Sequence, residues 1–207
     1  MKGIWLKDGS EFEYPVVSLA GVYDFDLSVK ASSYPMLKLY KQSHEYEELT
    51  EKDAVRATKL AAAPIGSGHD CFLKGILVSF DLTLSLKCWT EAERYTFLKP
   101  VSSMSSLKLT ETDSNIPFVE YTDPMAIQAL ASRMKVYKEN KTRDNWLRMV
   151  YSIPSGILLT ARMTTNYMQL KTIYNQRRTH RLPEWQEFCD WIETLPHSEW
   201  ITLQGVN

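Results

Sequence analysis

The sequence has no apolar run long enough to cross a bilayer. Its densest, GILVSF at 75–80, is preceded by Lys74 and closed by Asp81, far short of the roughly 20 residues that a membrane span needs. Cysteine is scarce: Cys71, Cys88 and Cys189 are odd in number, widely spaced and form no C-x-x-C pair. No secretory leader precedes them, so a reducing, cytoplasmic compartment is expected. Charge of either sign in excess is missing too. Twenty-four basic residues stand against 25 acidic ones, so no global field draws in nucleic acid or an anionic membrane, and any anion site must be local. Metal chemistry has little to work with, since His69 and Cys71 are the only close pair and no second pair at ligand spacing joins them. There is no internal repeat and no flexible linker, and low complexity is confined to the serines at 102–106.

What is present is enough for a core. With 207 residues, 44% of them apolar and 12% aromatic, the chain is expected to form a single domain over 1–207, with an N-terminal hairpin at about 1–25. Residues 3–23 alternate short apolar groups around the KDGS turn and Pro15, the pattern of a hairpin or two short strands. Strong helix formers fill 45–63 until Pro64, Gly66 and Gly68 stop them. FLKGILVSFDLTLSL (72–86) predicts a long strand at the centre of the main sheet. KCWTEAERYTFL (87–98) has helical composition, and 123–140 and 142–153 carry apolar residues at helical spacing, the first opened by Asp123 with Pro124 behind it. GILLTARMTT (156–165) reads as extended. Asn166 then supplies a helix cap, with Gln169 where the reaching side chain of a capping box belongs. That helix runs to about Thr179, and a last one follows in PEWQEFCDWIETL. The pattern predicts an α+β fold, a central curved antiparallel or mixed sheet flanked by helices.

The densest positive charge lies in IYNQRRTHRLPEW, where Arg177, Arg178, His180 and Arg181 occur within five positions. Cations so crowded repel, and either solvation or a bound anion must offset that. Arg177 lies eleven residues beyond Asn166, which on an α-helix is about 20° around the axis and about 16 Å along it. The two side chains share a face with Leu170 and Ile173, and a guanidinium at the edge of a buried stripe suits a planar or phosphate-type partner. A solvated cluster complementing the helix dipole is the plainer account. Tyr174, Trp185 and Trp191 nearby permit single-stranded nucleic-acid binding by stacking, but Trp185, Phe188, Trp191 and Ile192 at helical spacing read as a buried face.

Several of these separated residues together resemble the flavin-dependent thymidylate synthases, a family unrelated to the cysteine-using enzymes. SIPSGILLTARMTTNYMQLKTIYNQRRTHR provides Pro154, Asn166 and Arg177 in the order and spacing of that family, and Gly68-His69 stands before the long strand. The signature R-H-R-x-x-S-x-N-E-x-S-x-R-Y falls on RYTFLKPVSSMSSLKL (94–109). Arg94 takes the place of its first Arg, and the serines at 102–106 take those of its Ser residues. Tyr95-Thr96 replaces the second basic pair, the Asn-Glu is absent, Lys108-Leu109 stands for the closing Arg-Tyr, and Met168 replaces an Arg used by many members. The likeness spans about residues 20–190 and is similar to a divergent branch carried by bacteriophages and prophages.

The resemblance implies binding of FAD and dUMP, a methylene group from methylenetetrahydrofolate, hydride reaching the flavin from NADPH, and a homotetramer. It implies that Arg177 and Arg178 bind the dUMP phosphate. His69, Asn166, His180 and Arg181 would contact FAD, while Arg94, Ser102 and Ser105 would serve catalysis. Each has an ordinary explanation: His69 a strand-start hydrogen bond, Asn166 a plain cap, Arg94 a local pair with Glu91 or Glu93, and the serines a solvated turn. Three functions follow: modification of the pyrimidine ring of dUMP, non-catalytic nucleotide or phosphate binding on the same scaffold, and, more remotely, nucleic-acid binding.

Overall fold

The computed structural model describes residues 1–36, 48–64, 66–112 and 115–202. β1 (Lys2–Trp5) and β2 (Glu11–Glu13) form the N-terminal hairpin, whose turn is allowed by Gly9 at φ +67. β3 (Val17–Tyr23) leaves the hairpin for a second sheet and leads to α1 (Phe25–Ala31). α2 (Glu51–Ala61) fills most of the helix expected over 45–63, of which 45–47 lie outside the described residues. Its start is set by a capping box: Thr50 Oγ1 accepts from the Asp53 amide, and Asp53 accepts from the Thr50 amide.

The strand expected over 72–86 begins later and ends earlier. Cys71–Lys74 form a 3₁₀ turn that buries Leu73, and β4 spans Leu77–Ser85. Apolar density alone cannot separate a buried turn from a strand. The strand ends because Ser85 is already a helix cap, its Oγ accepting from the Cys88 amide at 3.2 Å, and α3 (Leu86–Ala92) starts at once. The helix expected to continue to 98 stops at Ala92, with Tyr95 and Leu98 turned into the core. β5 (Lys99–Ser103), α4 (Ser106–Glu111), β6 (Pro117–Val119), α5 (Pro124–Glu139) and α6 (Arg143–Val150) follow. The chain then runs through β7 (Leu158–Asn166), α7 (Tyr167–Arg177), α8 (Pro183–Glu193) and α9 (Glu199–Thr202). Among the described residues no helix is long and apolar enough to cross a membrane.

The fold is α+β, and all strand pairs are antiparallel. One sheet has the order β2-β1-β6 and the other β3-β4-β7-β5, so β4 is central as expected. β4 and β7 pair without interruption from Leu77↔Asn166 to Ser85↔Leu158. Because side chains alternate across a strand, this register sorts them cleanly. Val78, Phe80, Leu82 and Leu84 face inward with Ala161 and Met163, and they join Leu170 and Ile173 of α7 and Trp185, Phe188 and Ile192 of α8 in the main core. A second apolar cluster, around Ile116, Phe118, Leu130 and Met149, binds α5 and α6 to β6. Both outer strands of the four-stranded sheet are irregular, with register shifts between Ser18 and Gly21 in β3 and between Pro100 and Ser102 in β5.

Candidate functional site

Asn166 ends β7 in extended conformation, and its Oδ1 accepts from the Gln169 amide at 2.9 Å, capping α7. The expected capping box does not close. The Gln169 side chain turns away to accept from the Phe97 amide at 3.3 Å, tying the 93–98 segment to the helix. The side-chain nitrogen of Asn166, Nδ2, has no protein partner among the described residues.

Arg177 ends the same helix with its guanidinium largely buried (12% exposed). Its Nη1 donates to Glu91 Oε2 at 2.8 Å and its Nε to the Tyr95 hydroxyl at 2.7 Å. It also lies 4.7 Å over the Trp185 ring, a cation–π contact. The Tyr95 hydroxyl donates to Gln176 Oε1 at 3.0 Å, so its oxygen is free to accept from the arginine. Burial pushes the Tyr95 hydroxyl up, against the opposing influence of Arg177, which keeps it a neutral donor. His180 meets the same carboxylate, with Nε2 3.2 Å from Glu91 Oε2. Its Nδ1 accepts from the Leu182 amide at 3.2 Å, which assigns the ring proton to Nε2.

The crowded cations are therefore offset from within the chain. Arg178 reaches Asp190 at 2.8 Å and Glu193 at 3.2 Å, clamping α7 to α8, while Arg181 is exposed and has no side-chain partner among the described residues. Arg94 is likewise exposed and unpaired among those residues. It lies beyond the end of α3, and its expected partner Glu91 belongs to Arg177 and His180. Trp185 and Phe188 are fully buried, and Trp191 packs against the core.

His69 is exposed, its amide donating to Ser67 Oγ at 3.4 Å, in a loop where Gly66 and Gly68 both take positive φ. Its neighbour Asp70 is buried and accepts from Lys171 Nζ at 3.0 Å, and the same ammonium donates to the Ala61 carbonyl at 2.6 Å. Lys171 is in mid-α7, so one helix carries Asn166, the tether of the His69 loop and Arg177. The sequence alone does not single out this lysine. Nothing local in the sequence marks it, since its carboxylate partner is 101 positions away.

Ser102 and Ser105 sit apart from that cluster. Ser102 stands opposite Arg162 on β5, and Arg162 stands opposite Asp81 on β4, so the three share the polar face of the sheet. Arg162 Nη1 bonds Asp81 at 3.1 Å and the Leu19 carbonyl in the β3 bulge at 2.8 Å. Ser105 caps α4 by accepting from the Lys108 amide at 3.4 Å. The cysteines are free thiols. Burial raises Cys88 far above the usual thiol range and Cys189 to about 12, so neither presents a thiolate at neutral pH. Among the described residues no group of three or more His, Cys, Asp or Glu could hold a metal ion.

No protein-family model matches the sequence, and no curated protein does. Solved structures do match. A flavin-dependent thymidylate synthase ThyX from Helicobacter pylori, complexed with FAD and dUMP, aligns with a TM-score of 0.67 at 18% identity, over 88% of this chain and 95% of that one. A second ThyX structure from the same organism, also with FAD and dUMP, aligns with a TM-score of 0.68 at 18% identity, over 92% of this chain and 97% of that one. The two alignments cover 88% and 92% of this chain, and on that ground the chain has the fold of the flavin-dependent thymidylate synthases.

Proposed function

We propose that this chain is a divergent flavin-dependent thymidylate synthase-like protein that binds FAD and a pyrimidine nucleotide and modifies the pyrimidine ring. The observation that carries the reading is the run from Asn166 to Arg177 along α7, leaving the end of a central strand. It occurs in a fold shared over nearly the whole chain with structures holding FAD and dUMP.

The residues on hand fit a flavin nucleotide. Nothing lies within 4 Å of where a Cβ would stand at Gly66 or Gly68, so the backbone beside His69 is open to a phosphate or a planar ring. The Asn166 side-chain nitrogen, Arg181 and Arg94 are donors without protein partners among the described residues. In this reading His69, Asn166, His180 and Arg181 hold FAD, and Arg177 with Arg178 takes the nucleotide phosphate. Bound FAD supplies hydride chemistry, with NADPH and methylenetetrahydrofolate as co-substrates. Arg94 contributes positive charge where negative charge develops on the ring, and Ser102 and Ser105 orient groups through their hydroxyls. No thiol nucleophile is called for in this reading; Cys88 and Cys189 are buried and Cys71 is an exposed free thiol. A tetramer and a cytoplasmic setting, in a bacterium or phage-infected cell, accompany the reading.

A second reading, a nucleotide or phosphate binder without turnover, draws on a specific feature. Tyr95 replaces a basic residue of the family signature, and its hydroxyl is spent on Arg177. Visible absorbance of the purified protein, before and after loading with FAD and desalting, tests the first reading. Retained flavin, with dUMP binding that Arg177→Ala abolishes, is the expected result. A protein that cannot be loaded overturns the enzyme. Flavin retention without conversion of dUMP, when methylenetetrahydrofolate and NADPH are supplied, favours the binder.

A further inference from the structure

We propose that Glu91 is an internal competitor for the anionic ligand of Arg177, a carboxylate that occupies the guanidinium until a phosphate displaces it. The proposal rests on the nucleotide reading above and adds how that site is regulated. Glu91 lies in the last turn of α3, the negative end of the helix dipole, where a carboxylate is disfavoured. Its position is explained by what faces it: Arg177 at 2.8 Å, His180 at 3.2 Å and Lys87 at 3.7 Å. Three cationic or proton-donating groups converging on one acid form the kind of cradle that a phosphate uses.

Arg177 does not depend on Glu91 for its placement. The Trp185 ring beneath it and the Tyr95 hydroxyl at its Nε hold the guanidinium from other sides, so it stays presented when the carboxylate leaves. The pair sits at a rim, with Glu91 15% and Arg177 12% exposed. Glu91 hangs from the last turn of a seven-residue helix, and rotation of its own side chain is enough to expose the arginine. A closed state about ten times as populated as the open one lowers apparent ligand affinity about tenfold.

The experiment is calorimetric titration of the full chain with dUMP and, separately, with inorganic pyrophosphate, comparing wild type, Glu91→Gln and Glu93→Gln. Glu93 is an exposed acid two residues away, so its variant removes the same charge without touching Arg177. The expected result is about tenfold tighter binding in E91Q and a change within about twofold in E93Q. Should E91Q fail to fold, Glu91→Asp withdraws the carboxylate by one methylene while keeping its charge, and a tightening of a few fold is expected. If dUMP binds but E91Q or E91D binds it no better than wild type, Glu91 is a brace and the proposal is overturned, while the nucleotide reading stands. If pyrophosphate tightens in E91Q and dUMP binds nowhere, the competitor stands and the pyrimidine reading falls. Binding of neither probe by any variant overturns both.

Discussion

Replacing Asp70 by Asn should destabilise this protein, because of what it does to Lys171. The ammonium is 1% exposed and the carboxylate 2%, so water reaches neither. Asn keeps the shape and one acceptor oxygen but removes the counter-charge, leaving the buried ammonium un-neutralised between neutral acceptors, the Asn oxygen and the Ala61 carbonyl. Removing one member of a buried ion pair costs about 3–5 kcal/mol. At roughly 2–4 °C per kcal/mol for a chain of this size, the thermal midpoint should fall by about 6–20 °C. The double variant Asp70→Asn/Lys171→Met removes the stranded charge with a side chain of similar length, and it should recover most of the loss, since apolar replacements of buried pairs are often neutral or better. Thermal unfolding followed by circular dichroism on wild type, both single variants and the double variant completes the cycle. A midpoint for Asp70→Asn within about 2 °C of wild type, or a double variant no more stable than the single, would refute the reasoning and mean that the ammonium finds water. The pair also anchors the His69 loop to α7, so flavin retention in Asp70→Asn should fall along with stability.

Asn166→Ala removes the α7 cap and should cost about 1 kcal/mol in urea unfolding. If Asn166 also holds FAD, flavin affinity drops at least tenfold at temperatures where the variant stays folded, which the cap alone does not explain. Asp53 sets an acid-side dependence. Hydrogen bonds from Lys30, then Thr50, with Arg56 beside them, hold its carboxyl well below the usual range. A folded-state value below the unfolded one adds stability at neutral pH, and that stability is lost as pH falls below about 4. Asp53→Asn should therefore lower the urea midpoint at pH 7 and flatten its decline between pH 5 and 3. An unchanged acid limb would show that the Lys30–Asp53–Arg56 cluster contributes nothing to it.

Much of the fold could be read locally. Asp123-Pro124 and Thr142 mark helix starts that need no distant partner, and the side chains of both residues cap as their types predict. The density of β-branched and aromatic residues over 72–86 predicts a central strand, and β4 supplies it over Leu77–Ser85. The misreadings arose where a distant residue decided the outcome. Gln169 was expected to reach back to its own cap, but the Phe97 amide from another segment claims it. The ordinary account of Arg94 is a local pair with Glu91 or Glu93, yet the helix ends at Ala92 and Glu91 instead pairs across 86 positions with Arg177. Lys171 carries no local mark of its burial, because its carboxylate partner lies 101 positions away. The anion-site residues were legible as types, whereas their partners depended on the tertiary fold.

The irregular outer strands of the four-stranded sheet have a bearing on edge pairing. A regular edge is an invitation to a passing strand, which can add itself along a continuous row of free amides and carbonyls. Here β3 breaks its row between Ser18 and Gly21, where Arg162 takes up the Leu19 carbonyl. β5 breaks its row between Pro100 and Ser102, and Pro100 brings no amide hydrogen at all. Neither edge offers an uninterrupted template. The features that shape the polar face of this sheet thereby also keep its rims from recruiting a passing strand.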